Sequence, residues 1–163
     1  MELVFEVLNG RSGHEAGRAL LEKTYRRRFH REMPQILVTE RGKPYFADGS
    51  AHFSISHTKN RVFLCIHDAS VGLDAEEIDR SISPKLAERF LSSRERARLD
   101  AARDPRAALL RLWVLKESYA KLTGRGWGNY LKETDFDPEA PQVQIIDGCY
   151  VAVLTEKEND HAV

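Results

Sequence analysis

Short runs in which apolar and polar residues alternate occupy much of the chain, and such alternation is typical of half-buried strands. The runs His52–His57 and Val62–His67 flank a short polar connection, which predicts a hairpin. The same pattern predicts strands at Leu3–Leu8, Ile36–Thr39 and Val71–Glu76, and three short strands between Glu133 and Leu154.

Longer segments carry apolar residues three or four positions apart, as amphipathic helices do. The first predicted helix covers His14 to His30. Proline or capping patterns that open helices stand at Ser83-Pro84, at Ser92 with Glu95, and at Asp104-Pro105, which begins the longest helix, running to Thr123 before Gly124. Strands and helices mix without regular β-α-β alternation, so we expect an α+β or irregular α/β fold.

The charge of the chain is balanced overall but uneven along its length. The 163 residues are 42% hydrophobic and 31% charged, and the formal net charge is zero, which argues against a general nucleic-acid binder. Residues 80–125 carry twelve Lys and Arg against five Asp and Glu, whereas residues 126–163 carry two against eight. The basic middle therefore favours an acidic partner.

The cysteine pattern and the N-terminus indicate a cytoplasmic protein. Cys65 and Cys149 are the two cysteines, and each sits in an apolar alternating run, as a buried thiol does. The first residues lack a basic leader with a long apolar region, so we expect no signal peptide. No stretch approaches the roughly 18–20 apolar residues of a membrane span. We expect a reducing compartment.

Two carboxylates on the strand Val71–Glu76 are candidate metal ligands. Side chains alternate along a strand, so Val71, Leu73 and Ala75 face a core while Asp74 and Glu76 share the other face. Oxygen ligands at this spacing suit Mg²⁺, which also keeps waters or phosphate oxygens. The alternative is an ordinary solvated strand face.

The longest helix carries a second face besides its apolar one. The buried face is predicted to contain Ala108, Leu112, Leu115, Tyr119 and Leu122. A different arc contains Trp113, Lys116, Glu117, Ala120 and Lys121. Glu117 and Lys121 can be a simple i,i+4 surface pair. Alternatively, this arc is a working face with a carboxylate for a metal or a proton and lysines for phosphate.

Several other patterns do not indicate a catalytic site. Ser56 and His57 are adjacent in a strand and face opposite ways, so they cannot form a nucleophile–base pair. His52 and His57 also lie on opposite faces, which argues against a two-histidine metal site. The glycines after residue 123 follow a helix instead of leading into one, so they are not a dinucleotide fingerprint.

Three blocks of the sequence, taken together and in order, resemble the Sfp-type 4′-phosphopantetheinyl transferases. They span residues 42–121, about half of the chain. The blocks are Gly42-Lys43-Pro44 followed by His52-Phe53-Ser54-Ile55-Ser56-His57, then Val71-Gly72-Leu73-Asp74-Ala75-Glu76, and finally Trp113-Val114-Leu115-Lys116-Glu117-Ser118-Tyr119-Ala120-Lys121.

The resemblance implies a pseudo-dimer of two similar lobes in one chain, at residues 1–70 and 71–163. It implies a monomeric, magnesium-dependent enzyme that moves 4′-phosphopantetheine from coenzyme A to a serine of an apo acyl- or peptidyl-carrier protein. Adenosine 3′,5′-bisphosphate would leave. Two alternatives remain open from the residues: a non-catalytic module that binds coenzyme A or a carrier, and a magnesium-dependent nucleotide hydrolase.

The resemblance also implies roles for single residues. Matching positions make Asp74, Glu76 and Glu117 the metal ligands. They make Lys43, Pro44, Ser56 and His57 coenzyme contacts, and Lys121 a phosphate contact. A serine hydroxyl needs a base, and Glu117 is the candidate, acting directly or through a metal-bound water.

Two further expectations rest on charge. At the end of the first helix, Arg26, Arg27 and Arg28 are hypothesised to include a contact to the 3′-phosphate of coenzyme A, the alternative being a solvated helix end. Carriers of the implied kind present an acidic helix, so we expect a basic docking face, with solubility as the alternative explanation of its charge. Its candidates are Lys85, Arg89, Arg94, Arg96, Arg98, Arg103, Arg106 and Arg111.

Overall fold

The computed structural model describes residues 1–156, and these form helices and antiparallel sheets together. The elements are β1 (Glu2–Val7), α1 (Gly13–Phe29), β2 (Ile36–Val38), β3 (Pro44–Phe46), β4 (His52–His57), β5 (Arg61–His67), β6 (Val71–Glu77), α2 (Pro84–Phe90), α3 (Ser93–Ala101), α4 (Pro105–Thr123), α5 (Tyr130–Glu133), β7 (Val143–Ile146) and β8 (Cys149–Thr155). The α+β prediction is confirmed.

The first sheet has the order β1-β5-β4, and α1 packs against one of its faces. The predicted hairpin is confirmed, because β4 and β5 pair antiparallel with Ser54 opposite Cys65. Alternate residues of β5, such as Leu64, meet Leu20 and Tyr25 of α1 in a common core. Strands β2 and β3 form a separate two-stranded ribbon.

The second sheet has the order β6-β8-β7, and α4 covers one of its faces. Helix α4 begins where predicted, since the Asp104 side chain accepts a hydrogen bond from the Ala107 amide. It ends at Gly124, whose φ of 65° is the left-handed conformation that glycine adopts readily. No helix within residues 1–156 is long and apolar enough to cross a membrane.

The tail differs from its prediction. Three strands were expected between Glu133 and Leu154, but the structure has two, β7 and β8, preceded by the short helix α5. The stretch at 134–142 contains Pro138 and Pro141, which lack the N–H that a strand donates to its ladder, and it stays irregular.

The two sheets are joined by a shared core and by serine hydroxyls. Side chains from β5, β6 and β8, including Cys65, Leu73 and Cys149, pack in one buried cluster. In addition, Leu73 and Ala75 of β6 donate their amides to the hydroxyls of two β4 serines, Ser54 and Ser56, at 3.0 and 3.2 Å. The serine side chains of β4 thereby act as hydrogen-bond acceptors for backbone amides of β6.

The sheets also bear on the expected division of the chain into two lobes. The first sheet is built from residues before Ser70 and the second from residues after it. Residues 157–163 of the expected second lobe lie outside the described part. The boundary itself stays a prediction. Cys65 and Cys149 are both buried and free, as predicted.

A glycine sets the distance between α4 and β6. A Cβ atom built on Gly72 would overlap the carbonyl oxygen of Ser118 and the amide nitrogen of Leu122. The helix backbone therefore rests directly on the strand. This contact places Glu117 and Lys121 of α4 above the β6 face that carries Asp74.

Lys116 lies in the interior and not on a working face. Its side chain and that of Glu95 are fully buried and form an ion pair at 2.8 Å. Its ammonium group also donates to the carbonyl oxygens of Leu131 and Thr134. The hypothesis that grouped Lys116 with phosphate-binding lysines is wrong, because this charge ties α3, α5 and the residue that follows α5 to α4.

Replacing Gly72 with alanine is expected to destabilise the protein by about 1–3 kcal/mol, because the new methyl group must push α4 away from β6. Chemical denaturation followed by circular dichroism measures this loss. The control is Gly128→Ala, where the new Cβ meets a tyrosine ring atom at 3.2 Å that can move aside. Equal stability of the Gly72 and Gly128 variants would contradict the backbone contact.

Candidate active site

Two adjoining clefts lie where β4, β6 and α4 meet. The carboxylate cleft, of about 360 Å³, is lined by Ile55, Ser56, His57, Asp74, Glu76, Arg80, Trp113, Glu117 and Lys121. The lysine cleft, of about 270 Å³, is lined by Arg41, Gly42, Lys43, Pro44, Phe53, Ser54, Ile55, Glu117, Ala120, Lys121, Gly124, Gly126 and Trp127. Glu117 and Lys121 belong to both clefts, so they stand on the shared wall.

Asp74 is buried, with only 5% of its surface exposed. Its Oδ1 atom accepts a hydrogen bond from the Ser56 hydroxyl at 2.8 Å and from the Lys121 ammonium at 2.8 Å. Its Oδ2 atom is buried and has no hydrogen-bond partner among the described residues. A solvated strand face does not describe this carboxylate. An unpaired buried oxygen is costly unless a ligand uses it.

Glu76, the second carboxylate of β6, has two partners. Its Oε1 atom accepts a hydrogen bond from the indole N–H of Trp113 at 3.1 Å. The same carboxylate forms an ion pair with Arg80, four residues later, whose guanidinium lies over the Trp113 ring. The charge of Glu76 is therefore balanced within the cleft.

Glu117 accepts a hydrogen bond at 3.0 Å on Oε1 from the indole N–H of Trp127. Burial raises the pKa of this carboxyl group above its ordinary value, and the nearby charge of Asp74 raises it further. The simple i,i+4 pair with Lys121 does not describe the site, since Lys121 pairs with Asp74. A carboxylate with a raised pKa accepts a proton more readily.

The three carboxylates differ from a preformed metal cage. Within residues 1–156, no group of three His, Cys, Asp or Glu side chains is arranged to hold a metal ion. Asp74, Glu76 and Glu117 nevertheless line the same cleft, and Asp74 offers an unpartnered oxygen. Magnesium is commonly held by one or two carboxylates together with substrate phosphates. The donor chemistry of this cleft fits such a cation.

Lys43 and Pro44 lie in the lysine cleft. The ammonium group of Lys43 donates to the Ser70 hydroxyl at 3.1 Å and to the carbonyl oxygen of Leu122, near the end of α4. Burial lowers the pKa of Lys43. The structure thus brings Lys43 and Pro44 to the site, and their coenzyme contacts stay predictions.

Ser56 and His57 both border the carboxylate cleft but differ in exposure. Ser56 is buried and bonded to Asp74, whereas His57 is exposed. The His57 ring packs so closely on Gly13, at the start of α1, that a Cβ atom there would overlap it. The prediction that these two residues do not form a nucleophile–base pair agrees with this arrangement.

The structure does not bring the arginines at the end of α1 to either cleft. Arg26 forms ion pairs with Glu22 and Glu32. Arg27 and Arg28 both pair with Glu2, and Arg28 also pairs with Asp68. Their hypothesised contact with a coenzyme 3′-phosphate stays a prediction.

Sequence reasoning missed two residues of the site. Arg80 was not singled out, although it follows Glu76 at a spacing of four. Trp127 lies between Gly126 and Gly128, two of the glycines that the sequence pattern places after the longest helix without a role in a dinucleotide site. An isolated tryptophan among glycines is an available signal, because large aromatic residues in turns commonly contact a ligand or a core.

Comparisons with known proteins find relatives of this chain. A family model described as the 4′-phosphopantetheinyl transferase superfamily matches residues 70–161, a range that contains Asp74, Glu76 and Glu117. The chain is 37% identical over 115 residues to the 4′-phosphopantetheinyl transferase psf-1 of Bacillus pumilus, covering 68% of this chain and 49% of the relative.

Two further relatives carry the same description. The identity is 36% over 109 residues with gsp of Aneurinibacillus migulanus, covering 66% of this chain and 44% of the relative. It is 34% over 114 residues with AcpT of Escherichia coli strain K12, covering 67% and 56%. The chain spans about half the length of these curated relatives. Since the family model covers more than half of the chain, including Asp74, Glu76, Glu117 and Lys121, the chain belongs to the 4′-phosphopantetheinyl transferase superfamily.

Proposed function

We propose that this chain transfers 4′-phosphopantetheine from coenzyme A to a serine of an apo acyl- or peptidyl-carrier protein. The observation that carries the proposal is the meeting of Asp74, Glu76, Glu117 and Lys121 in one cleft that adjoins the lysine cleft. Membership of the superfamily supports the class of reaction. We propose that the donor pyrophosphate and the acceptor serine meet at the wall that the two clefts share.

Magnesium is the metal that we propose for the carboxylate cleft. Asp74, Glu76 and Glu117 would hold it, and the unpartnered Oδ2 atom of Asp74 supports this choice. When bound, such an ion neutralises negative charge on the pyrophosphate of the donor.

Two lysine side chains are proposed to bind the phosphate oxygens together with the metal. Lys121 stands on the wall shared by both clefts, and its bond to Asp74 fixes the position of its ammonium group. Lys43 is held by Ser70 and by the carbonyl of Leu122 in the neighbouring cleft. Both ammonium groups are point charges that can bind phosphate oxygens.

Glu117 is the group that we propose to accept the proton of the carrier serine. The serine oxygen forms a bond to the phosphorus that bears pantetheine, and the bond from that phosphorus to the bridging oxygen breaks. Adenosine 3′,5′-bisphosphate leaves with the electron pair, and the serine proton passes to Glu117. In the chain itself, burial and then the charge of Asp74 raise the pKa of Glu117. We also propose that the chain acts as a monomer in the cytoplasm.

The mass of the acceptor tests the function directly. The chain is incubated with coenzyme A, Mg²⁺ and an apo-carrier, and the carrier is weighed by mass spectrometry. We expect a gain equal to one phosphopantetheine group, located on a serine. Cleavage of coenzyme A without an adduct would indicate a nucleotide hydrolase, and binding without either product would indicate a non-catalytic module.

Removing the negative charge of a carboxylate in the carboxylate cleft is expected to lower turnover with little effect on folding. Asp74→Asn and Glu117→Gln keep shape and hydrogen bonding but remove the negative charge, so kcat should fall by about 10²–10³-fold. Melting temperatures check the fold. Glu139→Gln, an exposed change outside both clefts, is the matched control. Full turnover by Glu117→Gln would refute its role as proton acceptor.

The basic face of α2–α4 keeps much of its charge for a partner. Arg94 is neutralised by Asp135, but Arg96 and Arg98 bond to uncharged carbonyl oxygens, of Glu88 and Phe136. These guanidinium groups therefore remain net positive. We propose that this face docks an acidic carrier.

Reversing Arg96, Arg98 and Arg103 to glutamate is expected to raise KM for the carrier while kcat and coenzyme affinity stay nearly constant, since rim charges act mainly on encounter. Initial rates at several salt concentrations measure this effect, because screening acts beyond about 8 Å at physiological ionic strength. The control reverses Arg18 and Lys23 on α1. Carrier kinetics that respond to neither the reversals nor salt would place docking on another surface.

A further inference from the structure

The two tryptophans of the chain make the same kind of contact in the site. The indole N–H of Trp113 donates to Glu76, and that of Trp127 donates to Glu117, at 3.1 and 3.0 Å. In both cases the acceptor is one oxygen of a carboxylate that lines the carboxylate cleft. Each glutamate thus has one oxygen held by an indole group.

The two indole rings and Phe90 support one another. The rings of Trp113 and Trp127 have centroids 5.1 Å apart, and Phe90 meets both edge-on, at 5.3 and 6.0 Å. Aromatic rings in such contacts have well-defined orientations. Because the ring orientation sets the direction of the N–H group, this cluster aims both hydrogen bonds.

Trp127 differs from Trp113 in its backbone and its exposure. Trp113 belongs to α4 and is nearly buried, whereas Trp127 follows the end of α4 and is 43% exposed. The preceding Gly126 has a φ of 69°. This turn lets the indole ring reach back to a side chain ten residues earlier.

We propose that Trp127 is a positioning residue that orients the Glu117 carboxylate for the acceptor serine. Its N–H group holds Oε1, which leaves Oε2, with its two lone pairs, for the proposed metal and for the serine proton. A free glutamate side chain samples many rotamers, and one fixed oxygen removes much of that freedom. The inference rests on the proposed function, in which Glu117 accepts the serine proton.

Removing only the N–H group separates positioning from packing. Trp127→Phe removes the donor and part of the ring, while β-(3-benzothienyl)alanine at position 127 keeps the shape of the ring and loses the donor. Both changes are expected to lower kcat by about 10- to 100-fold, as for other groups that orient a functional side chain. KM for coenzyme A should stay nearly unchanged with the isostere, which keeps the ring surface that lines the lysine cleft. Full turnover with the isostere would mean that Trp127 only packs, and would overturn the proposal.

Tyr130→Phe is the matched control for the turn itself. The Tyr130 hydroxyl donates to the carbonyl oxygen of Gly126, next to Trp127, and not to a cleft carboxylate. Loss of the Tyr130 hydroxyl is expected to leave kcat close to the wild-type value. A loss of turnover as large as that of the Trp127 variants would attribute the effect to the turn and contradict positioning by the indole group.

Nuclear magnetic resonance supplies a readout that does not depend on turnover. The ¹⁵N-labelled protein gives two indole N–H signals, and Trp127→Phe identifies one by its disappearance. Glu117→Ala is expected to shift the Trp127 signal towards the position of an unbonded indole and to leave the Trp113 signal in place. An unmoved Trp127 signal would overturn the proposal. If the wild-type protein transfers no pantetheine, the proposed function fails, and this shift still decides whether Trp127 holds Glu117.

Discussion

The contact between the backbones of α4 and β6 is the constraint on which the candidate site depends. A side chain at Gly72 would overlap Ser118 and Leu122, so glycine is needed for the helix to rest on the strand. Glu117 and Lys121 directly precede these two contact points, and Asp74 lies two residues beyond the glycine on the same face of β6. The absence of a side chain at Gly72 thus sets the separation of Asp74 from Glu117 and Lys121 in the candidate site.

This closeness has an electrostatic cost that the surrounding residues offset. Burying Asp74 requires partners for its charge, and Ser56 and Lys121 supply them to one oxygen. Ser56 also accepts the amide of Ala75, so a single hydroxyl both fastens β4 to β6 and orients the carboxylate. The same exclusion of water raises the pKa of Glu117. The packing of the sheets and the reactivity of the cleft therefore have a common cause.

Much of the fold follows from local patterns in the sequence. Five strands before residue 78, the capping box at Ser92 and Glu95, and the end of α4 at Gly124 all depend on nearby residues, and the structure confirms them. Strand β3 (Pro44–Phe46) was not predicted, because its three residues are too few to show an alternating pattern. The tail was predicted less well. Its apolar residues favoured a third strand, but Pro138 and Pro141 cannot donate the backbone hydrogen bonds that a strand needs.

Contacts between distant segments were the part that the sequence could not reveal. Lys116 shares a helical arc with Glu117 but is buried, because its partner Glu95 approaches from another helix. Likewise, the contact of Trp127 with Glu117 depends on how the chain turns after α4. Helical position alone does not distinguish a lysine inside the protein from one that faces a cleft.

The proposed donor carries a free thiol, which can exchange with exposed cysteines to form mixed disulfides. The burial of the two cysteines of this chain affects that reaction. Burial raises the pKa of Cys65 to about 12, and it also raises the pKa of Cys149. Disulfide exchange proceeds through the thiolate and needs access to the sulfur atom, and the interior position of both residues denies these conditions. Neither cysteine is therefore placed to form a mixed disulfide with the proposed donor.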